Sequence, residues 1–459
     1  MYSCRDALLM GSLIRGVSGL SFHRFRTSGN LTIIRRPAGN SLEFHMENLV
    51  RKLASLCLLL PLCGPIWAAQ TISKPKVRAI TAFIRVDAAH YDAQVREALN
   101  LLREARSAYQ QRGYEVETIR ITTQPFPEII HGLSEEQAMD FFHGLDALAK
   151  RESFLANIGP AMLADGDAVG SVDLLARVLT QTENLNASIV VAQEDGIHWN
   201  AVRQSAKIMK YVAEHTPHSR GTFRFAATAL LAPFGPFFPS SYHTGAGHAF
   251  SIGLEAASVV QAVLENNKGN VENAAQSLAA ELSRFDTECE QIAKEIEKRS
   301  AWAYAGLDPT PAPLGKVSMG NAIEKFIGAK FGSSGTMTAA AIITRAVKSV
   351  PVKQVGYAGL MLPVMEDSVL AQRWSESTYS IDSLLAYSAV CGTGLDTVPL
   401  PGDVTEQQLA QIIGDMASLA YKWKKPLSAR LQPVTGKRAG EKTDFGDPML
   451  TDTVLQKLP

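Results

Sequence analysis

The sequence predicts one large α/β domain. Three observations carry that reading. Strand-like runs alternate with amphipathic helical runs from about residue 77, no low-complexity linker divides residues 77–459, and the composition is that of an ordinary globular chain. Hydrophobic residues make up 46% and charged residues 20%, which leaves out disordered, collagen-like and coiled-coil proteins.

The first strand is expected at Val77–Val86, where Ile80, Ala82, Ile84 and Val86 alternate with Thr81 and Arg85. A helix follows over Tyr91–Gln111, because Val95, Ala98, Leu99, Leu102 and Ala105 recur at helical spacing and Gly113 stops it. The pattern continues with a strand at Val116–Ile121, a helix from Ser134 to Lys150, a strand at Phe154–Ile158 and a helix at Val172–Leu179. A strand at Ala187–Ala192, a helix at Asn200–Glu214 and a strand at Phe223–Leu230 complete the first half. Such alternation implies parallel pairing through right-handed crossovers. Residues 271–299 read as one helix with a charged outer face. After Ala305 the chain is rich in glycine and proline and reads as loops between shorter helices, until the helix Glu406–Trp423 and a last strand at Leu427–Pro433.

The front end reads differently. Residues 46–68 have the layout of a signal peptide: basic Arg51 and Lys52, the apolar run Leu53–Leu62, then Gly64, Pro65 and small residues at Ala68 and Ala69. A run of roughly ten residues is too short to span a bilayer, which needs about 20, so no stable membrane span is expected. Cleavage is expected after Ala68, placing the protein outside the cytoplasm, in the bacterial periplasm. A signal peptide belongs at a chain start, so translation is expected to begin at Met46. Residues 1–45, with six arginines and no lysine, then read as a non-native extension. The full chain balances 45 basic against 45 acidic side chains. Without residues 1–68 it loses eight basic and three acidic residues, leaving 37 against 42, a net of −5. That balance argues against nucleic acid as a partner. Cys289 and Cys391 remain after cleavage, and their spacing leaves open whether they pair. Oligomerisation is equally open.

Candidate chemistry sits in the loops. Active sites of α/β folds gather at the C-terminal ends of strands, which directs attention to the loops after Leu230, Ala305, Leu362 and Val390. Pro233–His248 packs three prolines, three glycines and three phenylalanines into sixteen residues. Such a rigid loop can hold Tyr242 and His243 at a pocket mouth. Gly332–Thr336 reads Gly-Ser-Ser-Gly-Thr before an alanine-rich helix, so Ser333, Gly335 and Thr336 could receive an anion, or Ser333 or Ser334 could simply cap the helix. Asp308 and Thr310 lie in a stiff Asp-Pro-Thr-Pro turn. Glu366, Asp367, Asp396 and Asp403 come from further loops, and convergent carboxylates suit acid–base work or a divalent cation. Asn200 follows an Asp-Gly turn and is expected to cap its helix or to touch substrate.

Several of these segments, in order, carry a resemblance: FRFAATALLAPFGPFFPSSYH, LDPTPAP, GSSGTMTAA, YAGLMLPVMEDSVL, CGTGLDTVPLPGD and KPLSARLQPVTGKRAG. Together they resemble domain-of-unknown-function family 711, also called uncharacterised protein family 0210, over the chain from Val77 to Thr453. The resemblance implies a pyruvate formate-lyase-like fold, a large barrel of alternating strands and helices. It implies no reaction. His243 matches the histidine closing the family's proline-aromatic loop, and Asp308, Thr310 and Pro311 match its Pro-Thr-Pro turn. Glu366 and Asp367 match an acidic pair, Asp396 the aspartate of Gly-Leu-Asp, and Gly335 and Thr336 a Gly-Thr helix start. Many members lack an export segment, so this one departs from a cytoplasmic metabolic role. Val355-Gly356-Tyr357 looks like a radical-glycine site, but it lies far from the C-terminus, the mature chain has no adjacent cysteine pair, and export would part it from an activating enzyme. No glycyl radical is expected.

Two functions are carried forward. In the first, the protein is an exported enzyme acting on a small polar or anionic molecule. Glu366, Asp367 and Asp396 then serve as acid–base or divalent-metal groups and His243 as proton donor or orienter. Asn200, Asp308, Thr310, Ser333, Gly335 and Thr336 contact the substrate. In the second, the same loops bind a small ligand without chemistry.

Overall fold

In the computed structural model the described residues are 72–458, and the front-end expectations, the extension 1–45 and the signal segment 46–68, lie outside them. Ten strands form one sheet: β1 Lys76–Phe83, β2 Val116–Thr122, β3 Leu155–Pro160, β4 Leu185–Gln193, the two-residue β5 Gly196–Ile197, β6 Phe225–Ala229, β7 Ala249–Glu255, β8 Ala303–Asp308, β9 Gly394–Pro401 and β10 Leu427–Val434. Their order is β8-β7-β1-β2-β3-β4-β6-β10-β9, with β5 beside β4.

The expected strand–helix alternation is present, but parallel pairing is not uniform. Strands β1, β2, β3, β4 and β6 run parallel to one another. Strand β7 meets β1 antiparallel, and β10 meets β6 antiparallel. Three parallel sets, β8-β7, β1-β2-β3-β4-β6 and β10-β9, therefore join at two antiparallel seams. The ends of the sheet are linked by residues 353–365. Gln354 bridges β8 at Leu307, and Pro363 bridges β9 at Asp396, both in parallel sense. This irregular segment completes a ring, and the fold is a large α/β barrel.

Helix boundaries follow sequence chemistry. Tyr91–Gln111, Val271–Arg299 and Glu406–Trp423 lie where the apolar spacing places them. The helix Glu135–Glu152 starts with a capping box in which Ser134 and Gln137 exchange side-chain-to-backbone hydrogen bonds, and Thr405 and Gln408 do the same for Glu406–Trp423. The glycine- and proline-rich stretch after Ala305 holds more regular structure than its composition predicts. Strands β8 and β9 lie within it, and β7 with the helix Ala257–Asn266 lies before it. Tertiary pairing overrides low β-propensity there.

One large apolar cluster packs the helices against the sheet. A second, small cluster of Leu231, Phe237, Ala312, Tyr357 and Met361 stands apart from it. The Pro233–His248 loop builds that inner filling. Thr81 Oγ1 of β1 donates to Pro236 O at 3.1 Å, Thr122 Oγ1 of β2 pairs with Ser241 Oγ at 2.9 Å, and Asn157 Nδ2 of β3 donates to Pro239 O at 2.5 Å. Gly253 of β7 leaves room for this loop, since a Cβ there would stand 3.2 Å from Phe237.

Candidate functional site

Three arginines and four acidic residues meet inside the barrel. Arg78 stands on β1 where a β-bulge between Val77 and Ala79 breaks the ladder with β7. Its Nη1 lies 3.1 Å from both Glu117 and Glu255, and its Nη2 lies 3.0 Å from Glu366. Arg430 of β10 pairs with Glu366 from its Nη2, and its Nε donates to Asp396 Oδ1 at 2.7 Å. Burial opposes the charge on both guanidiniums, but the adjoining carboxylates outweigh it and hold each above the ordinary arginine range. Glu255 is pushed up to about 8, first by burial and then by Glu117 beside it.

Arg120 of β2 differs from both. No carboxylate among the described residues pairs with it: Nε donates to Thr118 Oγ1 at 3.0 Å and Nη1 to Pro236 O at 3.4 Å. Its guanidinium lies 5.0 Å from the Phe238 ring centroid. Burial and the charge of Arg78 pull Arg120 down to about 9, still above neutral pH, so it keeps its charge. It lines a cavity of about 70 Å³ together with Arg78, Arg430, Glu366, Asp396, Tyr357 and Thr393. Thr393 is buried there with no partner for its hydroxyl. Burial pushes the Tyr357 phenol up to about 12, so it keeps its proton. The arrangement offers a charged donor, a phenolic donor and an unused hydroxyl to a small anion.

Of the candidate catalytic and substrate-contacting residues named from the sequence, Glu366 and Asp396 reach this cavity, and Asp396 does so from strand β9 rather than from a loop; the proline-aromatic loop reaches it through Phe237, Phe238, Pro239 and Ser240 instead of His243. Asp367 instead organises the architecture. Its carboxylate accepts from Ser318 Oγ, from the backbone N–H groups of Met319 and Gly320, and from those of Val369 and Leu370. It thus anchors the starts of two helices, Met319–Ile327 and Ser368–Ser375, and has no oxygen free for acid–base work. Asp308 accepts from Thr310 N and Oγ1 and from the N–H groups of Tyr357 and Ala358. Thr310 Oγ1 in turn accepts from Gly359 N. Both residues pin the ring-closing segment rather than a substrate. Gly356 lets that segment approach, because a Cβ there would meet the Asp308 carboxylate.

His243 lies at the other end of the proline-aromatic loop. Its ring is buried, tilted against Phe234 at 5.5 Å, with neither nitrogen hydrogen-bonded, and burial lowers its pKa. It is not among the cavity-lining residues. Asn200 does not cap its helix. The helix begins at Trp199, and Asp165 Oδ1 accepts from the N–H groups of Asn200 and Ala201. Neither Ser333 nor Ser334 caps the alanine-rich helix, which starts from Gly335 at φ 102°. Ser333 is exposed, and the Thr336 hydroxyl is spent on Ser333 O and Gly332 N. Cys289 and Cys391 are separate buried thiols. Glu366 and Asp396, weighed for a divalent cation, are held by guanidinium groups, and no group of three or more His, Cys, Asp or Glu side chains among the described residues could hold a metal.

All four loops expected from the sequence reach the cavity wall, through Phe237, Phe238, Pro239 and Ser240 after Leu230, Ala312 after Ala305, Glu366 after Leu362 and Thr393 after Val390, but the opposite strand ends reach it too. Leu155 and Asn186 in its wall lie at the N-terminal ends of β3 and β4, and Phe223 just precedes β6. Sequence reasoning missed Arg78, Arg120 and Arg430. The signal was a lone arginine within otherwise apolar strand runs, VRAITAF, TIRIT and SARLQ. A charge in a strand buried on both faces requires a partner or a ligand.

Fold and site together define a large α/β barrel protein whose interior carries a charged cavity. Residues 71–447 match the family described as Uncharacterised ACR (DUF711), and the chain belongs to that family. A UPF0210 protein of Pyrobaculum arsenaticum is 31% identical over 353 residues, covering 73% of this chain and 77% of that one. A UPF0210 protein of Acetivibrio thermocellus is 26% identical over 374 residues, covering 78% and 82%. Among solved structures, the anaerobic ribonucleotide reductase from Thermotoga maritima in complex with dATP and CTP overlaps 77% of this chain and 75% of its own. Its TM-score is 0.39 and its identity 7%.

Proposed function

We propose that this protein binds a small anionic molecule inside its barrel, with Arg120 as the receiving cation. One observation carries the reading: a buried guanidinium without a carboxylate partner lines a cavity in which two neighbouring guanidiniums are already paired. An unpaired buried charge is costly, and a bound anion removes that cost. The cavity of about 70 Å³ holds roughly two waters at about 30 Å³ each, the size of a carboxylate or similar head. Calorimetric titration of small monocarboxylates into the native chain and into Arg120→Leu tests the idea. Binding to the native protein with at least tenfold loss in the variant supports it. Equal affinity for both sinks it.

A second reading, an enzyme that acts on this anion, has its own observation in favour. Tyr357 presents a protonated phenol to the same cavity and could donate to a developing negative charge. Turnover of a bound ligand by the native chain, lost in Tyr357→Phe with binding retained, supports the enzyme; a ligand returned unaltered supports a binding protein. We further propose export to the periplasm, supported by the segment 46–68. Cell fractionation with N-terminal sequencing should find a product beginning at Ala69. A cytoplasmic product with an intact segment would refute this.

A further inference from the structure

The cavity shares four walls, Leu155, Asn186, Phe223 and Met449, with a wider vestibule of about 560 Å³. These four residues line both spaces and mark where the two adjoin, the neck, where Arg430 stacks over the Phe223 ring at 4.6 Å. The two spaces differ in charge. Of the three guanidiniums in the cavity wall, Arg78 is matched by Glu117, Glu255 and Glu366 and Arg430 by Glu366 and Asp396, which leaves Arg120 as the one without a carboxylate partner among the described residues. The vestibule wall carries Arg220 and Arg224 against Glu183 and Asp447, with no excess. Arg224 is already committed to the carbonyls of Leu185 and Leu179, at 3.0 and 2.7 Å. The rest of the vestibule wall includes hydroxyl and amide groups from Thr182, Asn184 and Thr216.

We propose that the ligand is an elongated monocarboxylate. Its carboxylate lies at Arg120, and an uncharged, hydrogen-bonding body passes the neck into the vestibule. This rests on the anion-binding reading above. One unpaired guanidinium matches one carboxylate, whereas a phosphate monoester carries about −1.5 to −2 at neutral pH. The small cavity admits only the head, so size selection falls on the head and affinity grows with the body. The neck is the specificity element, because every ligand longer than the head must pass Phe223 and Met449.

The test is calorimetric titration of the full chain with acetate, N-acetylglycine and N-acetylglycylglycine, on the native protein and on Met449→Trp. Circular dichroism confirms that the variant is folded. Affinity is expected to rise at least tenfold from acetate to N-acetylglycylglycine. The Met449→Trp variant should weaken the longest ligand at least fivefold more than it weakens acetate. Equal affinity for all three ligands overturns the elongated-ligand proposal and leaves the anion site standing. No binding of any of the three overturns both.

Discussion

Glu366 and Asp367 are adjacent and both buried, yet they serve opposite ends of the molecule's economy of charge. Asp367 faces backbone N–H groups at two helix starts, and each of its oxygens is committed. Glu366 faces Arg78 and Arg430 at the wall of a cavity that also holds an unmatched Arg120. The residue type is nearly the same and burial is the same. What separates them is the partner: amide dipoles use a carboxylate to hold architecture, whereas guanidiniums around a cavity use it to hold a site beside an unmatched guanidinium. The comparison predicts that the two carboxylates, and the groups that depend on them, fail in different ways.

The largest effect is expected at Arg430. Replacing it with Met strands Asp396 as a buried charge and leaves Glu366 with Arg78 alone, which should cost about 4 kcal/mol in urea unfolding and also remove anion binding. A loss under about 1 kcal/mol would mean the cluster is far more solvated than its geometry implies. Next is Asp367→Ala, which removes the anchor of two helix starts and leaves buried N–H groups unmet. It should cost about 3 kcal/mol while anion binding survives in the folded fraction. If Asp367→Ala abolished binding without loss of stability, the division between architecture and site would fall.

A smaller effect, on the order of 2 kcal/mol, is expected in pH dependence. Glu255 is held up to about 8 in the folded protein, against an ordinary glutamate value of 4.5. A carboxyl whose folded value is raised favours folding below its unfolded value, and that contribution is lost as pH rises through the folded value. The native protein should therefore lose stability between about pH 5 and pH 8, and Glu255→Gln should flatten that slope. An identical slope in both would contradict the assignment. The smallest effect is expected for His243→Phe. Neither imidazole nitrogen has a partner and the ring packs against Phe234, so stability should change by less than about 1 kcal/mol and anion binding not at all.

Much of the barrel was legible. Long helices with apolar spacing, such as Tyr91–Gln111 and Val271–Arg299, announce themselves because burial of one face repeats every turn. The strands β8 and β9 did not, since Gly306, Gly394 and the prolines at 399 and 401 depress local propensity, and only pairing in the ring makes them strands. The antiparallel seams were invisible for the same reason, being long-range choices. In the site, Glu366 and Asp396 were within reach because acids in glycine-rich segments invite suspicion. The same suspicion fell on Asp308, Asp367 and His243, whose partners are backbone amides or aromatic rings. Arg78, Arg120 and Arg430 were overlooked because they sit in strands, where attention goes to the apolar alternation rather than to its exceptions.

The central claim is that the unmatched Arg120, and not the histidine loop, receives the ligand. Titration of carboxyl-labelled acetate by carbon NMR, in parallel on native protein, Arg120→Leu and His243→Phe, tests it most directly. The account predicts the same saturable shift for native and His243→Phe, and none for Arg120→Leu. Saturable binding that persists in Arg120→Leu, or that vanishes in a folded His243→Phe, would contradict it.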